Sequence, residues 1–484
     1  MPRPILIVAY YYPPLMASGT LRTTSFVSHL SRRLGFRPTV LTSEPGPGET
    51  VDPELETRIP VASVVLRARR LRLDLERWRR RGGKSGEGSR GGGDGPGSPL
   101  PTSRMGRTRD LLSWLLRFPD KKVGWLLPAL LAGLRAVSRE APAAIFSSGP
   151  PHTGHLVAAL LSRFSGAPLV ADFRDPWAGN PFNPLPYESL RRAEQALERF
   201  VLRTARAVVT VTGEQRMALL RGHPGLDPAR VLVITNGFDR ETLPAPVEEA
   251  RGGERLEILH AGLLYGKRDP RPFLRAIQAL LVETPELRTR LRVVFLGAGD
   301  DPAYSPRILR QVIDDDGVLE FEPAVGHKEA LGRMASAGAL LLLGPLGDEP
   351  ELQVPAKLYE YLGVGRRLLV LSHRLGAIGG ILEGISDRIY RAEPHDVAGI
   401  QRALQDLFRD REQDRRSGTT RKWEPPSRFD RSLLAQRLGA VLEAVISGST
   451  PGLSFSKGEG DGEVSWREPR SCRSGTEAGP RGNS

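Results

Sequence analysis

The sequence predicts an α/β protein of two doubly wound parallel-sheet domains that face each other across a cleft. Two series of short apolar runs alternate with amphipathic segments, and a Pro/Glu/Gly-rich stretch separates them. A third observation is a strand-to-helix junction rich in polar groups. The run 339–343 (Ala-Leu-Leu-Leu-Leu) leads into Gln353-Val354-Pro355-Ala356-Lys357-Leu358-Tyr359-Glu360-Tyr361-Leu362, and a second run, 367–371, follows. Runs this short, bounded by Gly and Pro, read as buried parallel strands.

The first series begins with a strand at 5–10. This run is short enough for a signal core, but it passes into Tyr10-Tyr11-Tyr12-Pro13-Pro14 without a small-residue cleavage site. A helix at 20–34 and strands at 39–42 and 61–66 follow. Residues 82–108 form a Gly/Ser/charged insert that cannot bury a core. Apolar residues return at Leu111, Trp114, Leu115, Leu116, Trp125, Leu126 and Leu127, read as helices with one face available to a membrane. Strands at 144–147, 169–171, 207–211 and 231–235, with helices at 155–164 and 188–203, complete a first domain of 1–243.

Residues 244–254 read as the linker. The second series places strands at 256–260, 291–296, 318–322 and 339–343, with helices at 272–281, 306–314 and 327–337. The second domain runs over 255–426, a C-terminal helix over 427–447, and a Gly/Ser/charged tail over 448–484.

Composition narrows the function. The chain has 484 residues, 39% of them hydrophobic, and a net charge of +13. One cysteine, Cys472, excludes an internal disulfide framework and suits a reducing, cytoplasmic setting. No run approaches the ~20 apolar residues of a membrane span. The basic block at Arg67, Arg69, Arg70, Arg72 and Arg77–Arg81 lacks a nucleic-acid-binding signature; it fits either arginine-rich composition with solvated side chains, the nearby apolar residues then belonging to the core, or an anionic membrane surface. Gly297-Ala298-Gly299 lacks the third glycine of a dinucleotide fingerprint and follows the wrong strand, which argues against NAD.

Ligands of doubly wound sheets sit at the carboxyl ends of strands. After the first strand, Gly19 allows close backbone approach and Arg22 lies in the next helix's first turn. In Gly149-Pro150-Pro151-His152 and the following His155, either histidine could act on a substrate or cap and pack a helix, and Asp172-Phe173-Arg174-Asp175 sets two carboxylates around an arginine. A self-satisfied Asp–Arg pair pinning the turn is the alternative reading of that motif. Gly262 with Lys267 and Arg268 follows the first strand of the second domain, where a diphosphate would need compensation. Lys357 at a helix start supplies a cation, and Glu360 an acceptor for hydroxyls, although the two also fit a solvated i,i+3 pair.

Taken in order, Tyr12-Pro13-Pro14 with Gly19 and Arg22, Gly149–His152, Ala171–Trp177, Gly262–Arg268 and Val354–Leu362 resemble the GT-B glycosyltransferases of the family 4-like group, of the bacterial surface-polysaccharide type. The resemblance runs from about residue 4 to 446. It implies an N-terminal acceptor-binding and a C-terminal nucleotide-sugar-binding Rossmann-like domain. It implies that Glu360 holds the ribose, that Arg268 and Lys357 face the diphosphate, and that Gly19 lets backbone approach the donor phosphates. It further implies a nucleotide-diphosphate sugar as co-substrate, with no cofactor besides, retention at the anomeric carbon, and a glycan or lipid-linked acceptor; the lack of a metal-binding aspartate motif suits metal-independent transfer.

His152, Asp172 and Asp175 are candidates to orient the acceptor hydroxyl or the sugar. Two positions depart from the pattern: Leu352 stands where the family often has a first Glu, and Leu263 where an arginine commonly follows the glycine. Glu351, next to Leu352, is the nearest substitute. These departures keep open a non-catalytic polysaccharide-assembly subunit, and the shared architecture keeps open a nucleotide-sugar epimerase.

Overall fold

The computed structural model describes residues 2–17, 19–71, 114, 117–180, 184–245, 255–313, 317–347, 351–385, 387–417 and 423–450. The insert, most of the linker and the tail expected from composition lie outside these residues, as does most of the basic block.

The first sheet has seven strands: β1 (Arg3–Ala9), β2 (Phe36–Ser43), β3 (Val64–Ala68), β4 (Ala144–Gly149), β5 (Leu169–Phe173), β6 (Ala205–Thr210) and β7 (Val231–Val233). Their spatial order is β3-β2-β1-β4-β5-β6-β7, and every pairing is parallel. Helices α1 (Thr20–Arg33), α2 (Leu126–Glu140), α3 (Thr153–Ser165), α4 (Glu188–Thr204) and α5 (Gly213–Gly222) accompany it.

Strand β3 starts later than its apolar run because Pro60 to Ser63 close a turn, with the Ser63 amide on the Pro60 carbonyl at 3.0 Å. Both faces of the sheet are covered. Along β1, Leu6 and Val8 enter one core while Ile5, Ile7 and Ala9 enter the other. That is why the run is apolar without alternation.

The second sheet has six strands: β8 (Leu256–Ala261), β9 (Leu291–Leu296), β10 (Leu319–Glu322), β11 (Ala339–Leu343), β12 (Arg367–Leu371) and β13 (Ile389–Ala392). The order is β10-β9-β8-β11-β12-β13, again parallel throughout. Its helices are α6 (Arg271–Glu283), α7 (Leu287–Arg290), α8 (Pro306–Ile313), α9 (His327–Ser336), α10 (Lys357–Val364), α11 (Ala377–Ile381) and α12 (Val397–Ser417). In each sheet the winding reverses once, between β1 and β4 and between β8 and β11. The loops leaving these strands flank the crevice where a doubly wound fold receives its ligand.

Helix α13 (Arg431–Ile446) returns to the first domain. Its Leu434, Leu438 and Leu442 enter the core that holds Ile5, Phe26 and Leu30. The return is fastened where residues 237–239 meet 429–431. Phe238 and Phe429 exchange a backbone hydrogen bond of 3.0 Å, and the Arg431 guanidinium donates to Asp239 at 2.7 Å. A Cβ on Gly237 would stand 2.2 Å from the Phe429 carbonyl oxygen, so the chains could not approach with any larger residue there. Leu438 is fully buried. Leu438→Ala should lower unfolding free energy by about 2–5 kcal/mol, the usual cost of such a truncation. Urea denaturation checks this; a change under ~1 kcal/mol would mean that α13 is not integral to the first domain.

Candidate functional site

On the first-domain side, the loop after β1 ends at Gly19, the N-cap of α1. Thr20 pins that loop: its hydroxyl donates to the Leu15 carbonyl at 2.7 Å and accepts the Ala17 amide at 3.2 Å. The close approach that Gly19 permits is that of a side chain, because a Cβ there would lie 1.9 Å from Nη1 of Arg174. Arg174 is buried, donates to the Pro150 carbonyl, and leaves its Nε without a partner. Burial holds its pKa below the ordinary arginine value, with Asp175 and Asp172 opposing.

Arg22 and Asp172 do not face a ligand. Arg22 is 4% exposed and grips Asp172, which is fully buried, through Nε at 3.0 Å and Nη2 at 2.8 Å. Its remaining donors go to the carbonyls of Thr235 at 2.5 Å and Ile234 at 2.8 Å. Asp172 also accepts the Ser148 hydroxyl at 2.9 Å. The expected roles of Arg22 in substrate binding and Asp172 in catalysis are therefore corrected: both groups are consumed in holding α1, β4, β5 and the segment after β7 together. A pinning Asp–Arg pair does exist, but its arginine is 150 residues away rather than the neighbouring Arg174.

His152 precedes α3 and stacks on Trp177, with centroids 4.7 Å apart and planes 5° apart. Its Nδ1 and the Trp177 Nε1 are buried without partners. His155 belongs to the core: Nδ1 meets the Ser147 hydroxyl at 2.8 Å and the ring stacks on Phe173. Burial lowers both pKa values, that of His155 to about 3 and that of His152 well below the usual range, so both rings are neutral. The first turn of α3 is capped by Asp120, a residue with no signal in the sequence. It accepts the Thr153 amide at 2.8 Å and the Thr153 hydroxyl at 2.9 Å.

On the second-domain side, Gly262 leaves β8 with φ +105°, a conformation that favours glycine, and a Cβ there would lie 3.1 Å from Nζ of Lys357. Lys357 opens α10; Pro355 lies just outside the helix and its carbonyl receives the Leu358 amide at 3.0 Å. Burial first, then the neighbouring Arg268, lowers the Lys357 pKa to about 7, with Glu360 opposing. Arg268 rests on the Tyr265 ring, donates to its hydroxyl at 2.6 Å, and has a buried Nε without a partner. Lys267 is exposed on the same turn and contributes its carbonyl, which receives the Leu346 amide at 2.7 Å.

Two histidines that the sequence did not single out complete this wall. His260 places Nε2 3.2 Å from Lys357 Nζ, and His327 places Nε2 2.8 Å from the Glu360 carboxylate.

The two sides meet directly. Gln353 donates to Asp175 at 2.9 Å, and the Thr212 hydroxyl donates to the Leu352 carbonyl at 3.0 Å. Burial raises the Asp175 pKa, while Arg174 and Arg268 oppose it. Asp175, beside Arg174 on the first-domain side, is thus brought near Arg268 and Gln353 of the second. Glu351 is buried, and one oxygen of its carboxylate receives the Ile378 amide at 3.1 Å at the start of α11 while the other has no partner. Trp125 is corrected from a membrane contact to a core residue. It is fully buried, its indole donates to the Ala68 carbonyl at 3.2 Å, and it meets Tyr10 edge-on.

Two doubly wound, Rossmann-like parallel sheets in one chain give the fold of the GT-B type. Residues 89–237 match the glycosyl transferase 4-like domain family. A D-inositol 3-phosphate glycosyltransferase of Kineococcus radiotolerans is 33% identical over 143 residues, which is 27% of this chain and 33% of the relative. Its counterpart in Streptomyces scabiei is 26% identical over 223 residues, 43% of this chain and 48% of the relative. The chain thus spans between a third and about half of these curated relatives. Anabaena HepE, solved in complex with UDP, shares the fold over 91% of this chain and 99% of its own, with TM-score 0.59 and 13% identity.

Removing one partner of the buried pair should be costly. Arg22→Met should lower stability by about 3–5 kcal/mol by stranding the Asp172 carboxylate. Denaturation measures this, and a loss below ~1 kcal/mol would refute the pinning role. The histidines set a pH dependence. His155 is depressed to about 3, so its stabilisation is complete above the unfolded value of ~6.5 and is lost as pH falls towards 3. The denaturation midpoint should drop across that window, and less steeply in His155→Gln; identical slopes would contradict the assignment.

Proposed function

We propose that the protein is a glycosyltransferase that takes a sugar from a nucleotide-diphosphate donor held by the second domain and passes it to an acceptor held by the first. The observation that carries this reading is the pair of cations at the second reversal point. Lys357 and Arg268 flank the Gly262 turn, where the backbone has no side chain between Lys357 Nζ and the cleft. Cleaving the anomeric C–O bond leaves added negative charge on the departing diphosphate. Preorganised cations at that point stabilise it more strongly than water does. Glu360, held by His327, is then the acceptor for ribose hydroxyls. The match of residues 89–237 to a glycosyl transferase 4-like domain supports the same reading.

On the first-domain side, Asp175, His152 and Arg174 are the groups we assign to the acceptor; Nδ1 of His152 and Nε of Arg174 are buried polar atoms without a protein partner. Charge stabilisation from side chains makes a metal-independent transfer the mechanism we favour, and the family resemblance makes retention the stereochemistry we favour. Lys357→Ala and Arg268→Ala should each weaken nucleoside-diphosphate binding by ~1.5–3 kcal/mol. Calorimetry on the folded variants tests this, and unchanged affinity in both would overturn the donor site.

A lipid-linked acceptor, and hence peripheral attachment at the cytoplasmic face of a membrane, is our reading of the first domain's edge. No helix among the described residues is long and apolar enough to cross a membrane. Leu127 and Leu131 on α2 are about half exposed, as is Leu71, whose amide bonds the Gly124 carbonyl at 2.9 Å. Arg69, largely exposed, lies two residues before Leu71. Flotation with vesicles should show binding that rises with anionic lipid, falls with salt, and is lost in Leu127→Glu/Leu131→Glu. Equal recovery on neutral and anionic vesicles would exclude it.

A further inference from the structure

His260 sits in β8 two residues before Gly262, buried to 1% exposure and beside the Phe295 ring at 5.8 Å. Its hydrogen bonds fix its tautomer. Nδ1 lies 2.9 Å from the Leu341 carbonyl oxygen, which can only accept, so Nδ1 carries the proton. Nε2 is then a bare lone pair, and it faces Lys357 Nζ at 3.2 Å, for which it is an acceptor. A histidine serving only to fill the core has no need of an amine as its second partner. Here that amine stands at the mouth of the crevice, under a turn where glycine leaves its approach open.

The groups facing Lys357 come from three elements. His260 belongs to β8, Arg268 to the turn after it, and Glu360 to α10 itself, where His327 of α9 holds it. Burial and Arg268 work against the charged amine, Glu360 works for it, and the balance falls near neutrality. His260 is itself kept neutral by burial and by the Lys357 charge.

We propose that His260 is a positioning residue for the donor site: its Nε2 holds the Lys357 amine at the Gly262 turn, and an arriving diphosphate draws a solvent proton onto that amine. The inference rests on the donor-site reading above. The proton balance is simple: one proton passes from solvent to Nζ for each ligand bound to an unprotonated site. Donor binding therefore consumes protons at and above neutral pH, and affinity falls as pH rises.

Calorimetry with UDP on the full chain, in buffers of differing ionisation enthalpy, reads this uptake between about pH 7.5 and 9, above the ordinary ionisation of the diphosphate. Wild type should take up a substantial fraction of one proton, and Kd should grow by up to about tenfold per pH unit. Lys357→Arg, whose guanidinium stays charged, should abolish both effects. His260→Phe removes the acceptor and should move the affinity profile about one pH unit towards acid. His260→Gln, which restores an acceptor oxygen, should leave the profile near that of wild type.

A purely structural His260 would instead change affinity by one factor at every pH, and that result overturns the proposal. So does binding of UDP by wild type with no buffer-dependent heat. If UDP, GDP and pyrophosphate all fail to bind wild type at any pH, the donor-site reading itself falls and takes this inference with it.

Discussion

The bidentate contact between Arg22 and Asp172 is the constraint on which the first half of the cleft depends. It is buried, it neutralises two charges, and it spends the other arginine donors on the carbonyls of Ile234 and Thr235. Charges removed from water this completely cannot separate singly without large cost. The start of α1 is therefore fixed against the carboxyl end of β5. Gly19 lies three residues before Arg22, and Arg174 two after Asp172, so the contact between Gly19 and the Arg174 guanidinium follows from the pair. The arginine expected to bind substrate binds the fold, and in doing so it presents a different arginine to the cleft.

The two domains are joined by the returning chain, by apolar packing and by polar contacts. The chain leaves the first domain, builds the second, and returns to bury three leucines in the first, while Phe238 enters the second domain's core beside Phe429. The segment before α10 supplies polar contacts. Leu352 and Gln353 reach the first domain through Thr212 and Asp175, while Glu351 caps α11. This accounts for the departure from the expected glutamate pattern. A segment whose carbonyl, amide side chain and carboxylate are each engaged in holding domains and helices is here used for assembly.

Much of this was legible because the relevant signals are local. Apolar runs between Gly and Pro give the strands, and polar groups just after them give Lys357, Arg268 and Asp175. What escaped depends on distance or on resemblance to something commoner. Nothing near residue 172 announces a partner at residue 22. Trp125 stands among leucines next to a basic block, a composition shared by membrane-surface helices and by a helix start folded onto a core. His260 ends an apolar run and reads as one more strand residue, although an ionisable group in a buried strand just before a glycine turn is a usable signal. His327 was hidden by its place at a predicted helix start, where its side chain looked like surface.

The same long-range pairing explains why the cleft can carry so many polar groups without losing its form. Arg174, Arg268 and Lys357 converge with Asp175 as the carboxylate between the walls, an arrangement that leaves positive charge in a poorly solvated space. Arginine cannot relieve this by shedding a proton, whereas a lysine held by a neutral imidazole can. The Leu341 carbonyl makes that neutrality structural, because it claims the only ring proton of His260. Lys357 can thus relieve the local electrostatics by giving up its proton, and on the proposed donor-site reading an anionic ligand would restore the charge there. On that reading one residue in two protonation states would serve both stability and attraction for an anion, with His260, fixed by the Leu341 carbonyl, as its partner in each.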